Sequence, residues 1–411
     1  MSHTRRYHDT GTTPQRARCP GTRRAGLDHF PPTRIAALRR LLGVDPTTYA
    51  RTRNHLDGAV TGLSPYFTHG FITEAEAFTA WRARFDLTLS DKLGMELAWR
   101  CFFAHVRGWA GEAIFTALRP ALRDDYAPGL PADVLEARTG VPVIDTSVRH
   151  LYETGYLHNH ARLWLASYVV HSRKTHWRAG ADWMFAHLLD GDAASNHLSW
   201  QWVAGTFSTK PYLFNADNVA RFAPARASPG TSIDTNYPAL EDWARYGGDA
   251  GPEPGTHRGR AVPPLYAVPP GHANATLPSL AGRRIALVHP WALGWAPAGG
   301  ADYTLGVVFP AAHAVRPWSA RRWDFVLEGM RRRCDAVWVG DPAVLATALS
   351  GSLCLSRMVQ QPAYVTALSR LPMIWCKTAA ALPDAGLNAT SFSAYIKALQ
   401  RRAPGLFGTH T

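Results

Sequence analysis

Residues 139–167 read TGVPVIDTSVRHLYETGYLHNHARLWLAS, residues 188–207 read LLDGDAASNHLSWQWVAGTF, and KPYLFN closes the run at 210–215. Apolar residues recur here at helical spacing: Ile144, Val148, Leu151 and Tyr152 share a face, and Gly155 supplies a stop. Polar groups follow the same period. Asn159, Arg162 and Leu163 fall on one helical face, as do Asp192, Asn196 and Trp200. Buried polar groups need partners, so this pattern predicts either helices that aim them into a common pocket or a satisfied polar network in the core.

The helical pattern extends outward from about Pro32 to Pro224, with almost no strand signal. Beyond it the chain turns rich in Pro and Gly (PPLYAVPPGHANA at 263–275), which predicts a connector. The texture then changes again. Arg284–His289, Leu305–Phe309 and Ala336–Val339 read as short buried strands, with helices over Trp318–Met330 and Ala343–Leu349. That alternation predicts a small α/β domain with a mostly parallel sheet. The expected organisation is a basic disordered tail at 1–30, a helical domain at 31–225, a connector at 226–280 and the α/β domain at 281–411.

A chain of 411 residues exceeds what one core usually supports, and 46% hydrophobic residues against 18% charged exclude a disordered protein. The net charge of +13 points to an anionic partner such as nucleic acid. Residues 1–40 hold nine arginines against Asp9 and Asp28, so a solvated basic tail explains much of that excess as well as a DNA-gripping arm does. No apolar run is long enough to span a membrane, and the N-terminus has no secretory core. Cys19, Cys101, Cys334, Cys354 and Cys376 form no C-x-x-C pair, which argues for a reducing, cytoplasmic setting without disulfides or an iron–sulfur cluster. His158 and His160 match no zinc spacing, so no metal site is expected.

The ordered set TGVPVID, TGYLHNHARLWLAS, DGDAASN, WQWVAGT and KPYLFN, with GLSPYFTHGFIT at 62–73 and MELAWRCFF at 95–103, resembles the flavin-binding domain of photolyases and cryptochromes. The resemblance covers about half the chain and implies FAD in a helical fold. Matched position by position, it implies that Tyr49, Thr61 and Ser64 contact the FAD diphosphate, a task suited to hydroxyls and free amides ahead of a helix. Val60 stands where the family usually has another Thr. Arg100 and Arg162 flank the cofactor, with Arg162 paired to Asp190, and Asp192 bonds the flavin or ribose side. Asn196 faces the flavin N5, where a neutral amide is compatible with an anionic reduced flavin.

The same comparison makes Trp200 and Trp177 the first two members of an electron-hopping chain. The third has no counterpart, which leaves Tyr126 as a substitute. Trp99 and Trp202 match the pair that brackets a flipped pyrimidine dimer, with Glu96 and Asn159 as further dimer contacts. The departures fall on the dimer side: His160 for the usual Arg, Leu163 for Met and Cys101 for an acid. Asn159 and Leu163 occupy the positions where (6-4) repair needs paired histidines, which argues against that reaction.

The activity implied is light-driven repair of cyclobutane pyrimidine dimers in DNA by a monomeric enzyme; the rival is a blue-light receptor that binds FAD without repair. Most relatives carry an α/β antenna domain ahead of the helices, whereas here the α/β texture follows them, and the identity of any second antenna chromophore stays open.

Overall fold

The computed structural model describes residues 29–254 and 258–408; the Arg-rich tail expected at 1–30 and Cys19 thus lie almost wholly outside the described residues. From Arg34 to Phe222 the described chain is helical, its only β contact being an isolated bridge between Ala127 and Thr175. Local chemistry sets the helix ends. Thr73 and Glu76 form a reciprocal capping box at the start of Glu74–Phe85. Pro142 opens Pro142–Thr154, and Gly155, at φ 70°, closes it in the left-handed conformation that favours glycine. Asp192 caps Ala193–Ala204 through its bond to the Ser195 amide.

The stretch expected as a connector contains a helix, Tyr237–Tyr246, and a two-residue strand, β1 (Leu265–Tyr266). Beyond it lie β2 (Arg284–Val288), β3 (Tyr303–Val308), β4 (Trp318–Ser319), β5 (Ala336–Val339), β6 (Leu353–Arg357) and β7 (Met373–Cys376). Strands β1 and β4 pair antiparallel; the other five form one parallel sheet in the order β5-β3-β2-β6-β7. This is a doubly wound sheet whose direction of winding reverses between β2 and β6. The fold is thus mostly α, a helical half followed by a smaller α/β half, as the sequence predicts. Trp318 is in β4 rather than at the head of a helix, because Ser319 caps the helix Ala320–Arg331 by accepting from the Arg322 amide.

Side chains alternate across the sheet and separate two cores. Val288 and Val308 face the helical half and join a core containing Phe30, Phe102, Trp318 and Phe325; Leu287 and Val307 face a second core on the far side of the sheet. A third core lies within the helical half, around Trp164, Tyr168 and Trp200. The first core makes the two halves one packed body. Backbone bonds stitch the same seam: Leu293 N–H donates to His69 O and Gly294 N–H to Gly70 O, each at 2.9 Å.

Candidate functional site

Helix Lys92–Ala110 carries Glu96, Trp99 and Arg100 at three- and four-residue spacing. Arg100 Nε donates to Glu74 Oε1 at 2.6 Å, and its charge also faces Asp192 and Asp190. The three carboxylates outweigh burial and hold the guanidinium above its ordinary pKa. Asp192 is the reciprocal case: burial would raise it, yet Arg100 and the Ser195 amide keep it below the usual carboxylate range.

Asp190 lies one step inward. Arg162 Nη2 donates to its Oδ2 at 2.7 Å, while the carboxylate side chain is only 1% exposed. Its Oδ1 is buried with no protein partner. Tyr156 faces Arg162, Asp190 and Ser64, and Tyr49 faces Tyr156, Glu96 and Arg53. Burial pushes both phenols up. Tyr49, Ser64, Arg162, Asp190, Asp192 and Arg100 therefore form one connected cluster. Thr61 lies at its edge, where its hydroxyl accepts from the Leu63 amide at 3.3 Å. Tyr156 is a member that the sequence reading missed; its only signal is an aromatic residue directly after the Gly155 helix stop. Asn196 is buried and donates to Ala181 O at 2.8 Å.

Trp200 and Trp177 are each 2% exposed, on adjacent helices Ala193–Ala204 and Trp177–His187. Gly180 makes the approach: a Cβ there would lie 2.2 Å from the Trp200 ring. Tyr126 is held beside this pair by the Ala127–Thr175 bridge, with ring centroids 6.5 Å from Tyr126 to His176 and 5.6 Å from His176 to Trp177. Burial pushes the Tyr126 phenol up to about 12.

The four residues matched to the dimer side differ among themselves. Glu96 Oε1 accepts from Arg53 Nη1 at 2.7 Å, and burial raises its pKa against the pull of Arg53. Trp99 stacks on Phe392 from the C-terminal helix Phe392–Arg402, with centroids 3.8 Å apart and planes 9° from parallel. Trp202 is half-buried, 5.7 Å from the Tyr212 ring. Asn159 is exposed as the first residue of helix Asn159–Ser167. Among the described residues, no group of three or more His, Cys, Asp or Glu is placed to hold a metal ion.

The model of the FAD binding domain of DNA photolyase matches residues 93–245, the segment that carries most of this cluster. Over these residues the chain is similar to the photolyase and cryptochrome family. It is similar to the deoxyribodipyrimidine photo-lyase of Synechococcus sp., 30% identical over 47% of this chain and 43% of the relative. It is also similar to that of Thermus thermophilus, 36% identical over 42% of this chain and 41% of the relative. The chain thus spans under half the length of these curated relatives. Among solved structures, a class III photolyase from Agrobacterium tumefaciens aligns with a TM-score of 0.45, 25% identity, 58% of this chain and 55% of its own.

FAD is the cofactor of this family domain, and the residues present fit it. A buried carboxylate oxygen without a donor, Asp190 Oδ1, requires an explanation in a native fold. An imide N–H, such as the flavin ring bears, is a suitable donor. Arginines and carboxylates alternate around it, so charge on a bound group is answered locally.

A cleft of about 1020 Å³ opens between the two halves. Its far wall is made by the carboxyl ends of the parallel strands, with Trp291 after β2, Arg357 and Met358 at the end of β6, and Lys377 after β7. Its near wall includes Arg100 and Asp192. Carboxyl ends at the reversal point of a doubly wound sheet are where such sheets bind ligands.

Proposed function

We propose that this protein is a light-driven lyase that splits cyclobutane pyrimidine dimers in DNA. When bound, FAD supplies the light-absorbing electron donor. The chain's own residues bind it, supply electrons and receive the lesion. Arg162 and Asp190 orient one another; Asp190 Oδ1 would accept from a bound cofactor, and Asn196 would offer it a neutral amide that forces no proton onto it. Trp200 and Trp177, buried in one core, carry replacement electrons inward, and Tyr126 extends the path through His176. Trp99, once Phe392 is displaced, and Trp202 offer aromatic faces to an extruded dimer, and base–aromatic stacking of about 1–3 kcal/mol per base offsets its unstacking. Glu96, its pKa raised by burial, and Asn159 offer hydrogen bonds to the bases. The observation that carries this reading is the coincidence of the family-matched segment with the Arg162–Asp190–Asp192–Arg100 cluster.

The second reading, a blue-light receptor that does not repair, is favoured by one specific feature. The stacking face of Trp99 is taken by Phe392, and Glu96 is engaged by Arg53. Two of the four groups matched to the lesion are thus satisfied within the chain.

The test is photoreduction of the purified protein, addition of a dimer-containing oligothymidine, and illumination. Recovery of thymine absorbance only in the light supports the lyase. A protein that holds photoreducible flavin yet restores no thymine is the receptor instead.

A further inference from the structure

The two aspartates of the flavin-side cluster flank Gly191, and the three carbonyls that lead up to Asp192 are each held from outside the loop. The ring Nε2 of His69 lies 2.8 Å from Leu189 O; Thr68 Oγ1 donates to Asp190 O at 3.2 Å; Arg322 Nη2 donates to Gly191 O at 2.6 Å. The first two holders belong to the helical half. The third comes from helix Ala320–Arg331 of the α/β half.

Arg322 is 0% exposed. Its Nη1 donates to Phe185 O at 2.8 Å, and its guanidinium carbon sits 3.9 Å from the Trp318 ring and 4.7 Å from that of Phe185. Among the described residues it has no carboxylate at ion-pair distance; the charges that face it are those of Asp190 and Asp192. A buried cation without a direct counter-ion costs several kcal/mol, and a hydrophobic side chain of similar volume would pack here more cheaply. Gly191 fits the arrangement: a Cβ there would lie 2.4 Å from Arg322 Nη1 and 2.5 Å from Phe185 O.

We propose that Arg322 is a positioning residue for the flavin site, contributed by the α/β half. It fixes the loop that presents Asp190 and Asp192, and it balances their charge. The cluster holds three carboxylates, Glu74, Asp190 and Asp192, against Arg100, Arg162 and Arg322. Without Arg322 it would carry a net negative charge and oppose an anionic reduced cofactor. This inference rests on the assignment of FAD to the cluster.

The experiment uses the full chain with Arg322→Gln, Arg322→Lys and Gly191→Ala. Flavin content, the FAD dissociation constant of the stripped protein, the flavin midpoint potential and the melting temperature of the stripped protein are measured for each. Arg322→Gln keeps a donor for one carbonyl but loses the charge; the expected result is FAD affinity down at least about tenfold, a coupling of ordinary size, and a more negative potential. Arg322→Lys restores the potential. Gly191→Ala, which displaces the guanidinium and leaves every charge in place, lowers affinity and shifts the potential in the same direction as Arg322→Gln. Wild-type affinity and potential in a folded Arg322→Gln protein overturn the proposal, as does a drop in melting temperature with both flavin readouts unchanged. If Arg322→Gln fails to fold, wild-type flavin readouts in Gly191→Ala overturn it. A wild-type chain that takes up no FAD removes the cofactor assignment itself, an outcome distinct from any of these.

Discussion

The indole of Trp99 and the phenyl ring of Phe392 stack face to face, 3.8 Å between centroids, although they are nearly three hundred residues apart in the chain. Trp99 lies on a helix of the family-matched segment and Phe392 on the last long helix of the α/β half. Phe392 also meets Phe102 edge-on, so it is seated on a continuous aromatic surface.

A stacked ring pair holds about 0.5–1.5 kcal/mol beyond its buried area. If an extruded base uses the same face, it must displace Phe392. Phe392→Ala is then expected to raise affinity for dimer-containing DNA in the dark by about two- to tenfold. Titration with damaged and undamaged oligonucleotides measures this; equal affinity in the variant and the parent would show that the lesion does not use that face.

Trp200→Phe is expected to slow photoreduction strongly while FAD stays bound, because Trp200 shares one buried core with Trp177. The smaller ring leaves a gap costing about 1–3 kcal/mol of stability. Flavin bleaching under blue light is the readout, and an unchanged rate removes Trp200 from the path.

Gly294→Ala is expected to destabilise the seam between the halves. A Cβ at Gly294 would lie 2.2 Å from the Phe71 carbonyl oxygen, a backbone atom that cannot swing aside. The cost should reach about 3 kcal/mol, the upper end for overpacking. Denaturant titration tests it, and a midpoint within error of the parent would mean that the seam yields more easily than its geometry indicates.

Five buried histidines predict acid lability. Burial pushes His69 and His313 down to about 3, and His171, His187 and His289 to about 4. Each is neutral when folded, whereas the unfolded chain binds its proton below about 6.5. The unfolded state therefore binds more protons between about pH 6.5 and 4, and stability falls as pH falls through that window. Together the five remove on the order of 10 kcal/mol by pH 5, comparable to the whole stability of a domain. Circular dichroism against pH should show cooperative unfolding near pH 5; an intact fold at pH 4 would contradict it.

The helical half was legible because helix caps and stops are local. Thr73 with Glu76, Pro142 with Gly155, and Asp192 with Gly205 each act within a few residues of the chain. Strands β2, β3 and β5 were legible for a related reason, as short runs dominated by apolar residues. Strands β6 and β7 were not: Leu353–Arg357 ends on the polar pair Ser356 and Arg357, and Met373–Cys376, though apolar, is a run of only four residues directly after Pro372. The family resemblance located Arg162, Asp190 and Asp192. It could not locate Arg322 or Phe392, because neither belongs to a motif and only packing between the halves turns them toward the cluster. Nothing in the local sequence around Arg321 and Arg322 tells which of the two adjacent arginines points inward.

The clamp on Gly191 also has an order in time. Chains are synthesised from the N-terminus at about 5–20 residues per second, and Arg322 emerges roughly 130 residues after the glycine it holds. For several seconds on the ribosome, His69, Thr68 and the Gly191 loop have all been made while the third support has not. Cofactor capture at full strength is therefore a late event in biogenesis. A nascent chain stalled before residue 320 should take up FAD more weakly than one released whole.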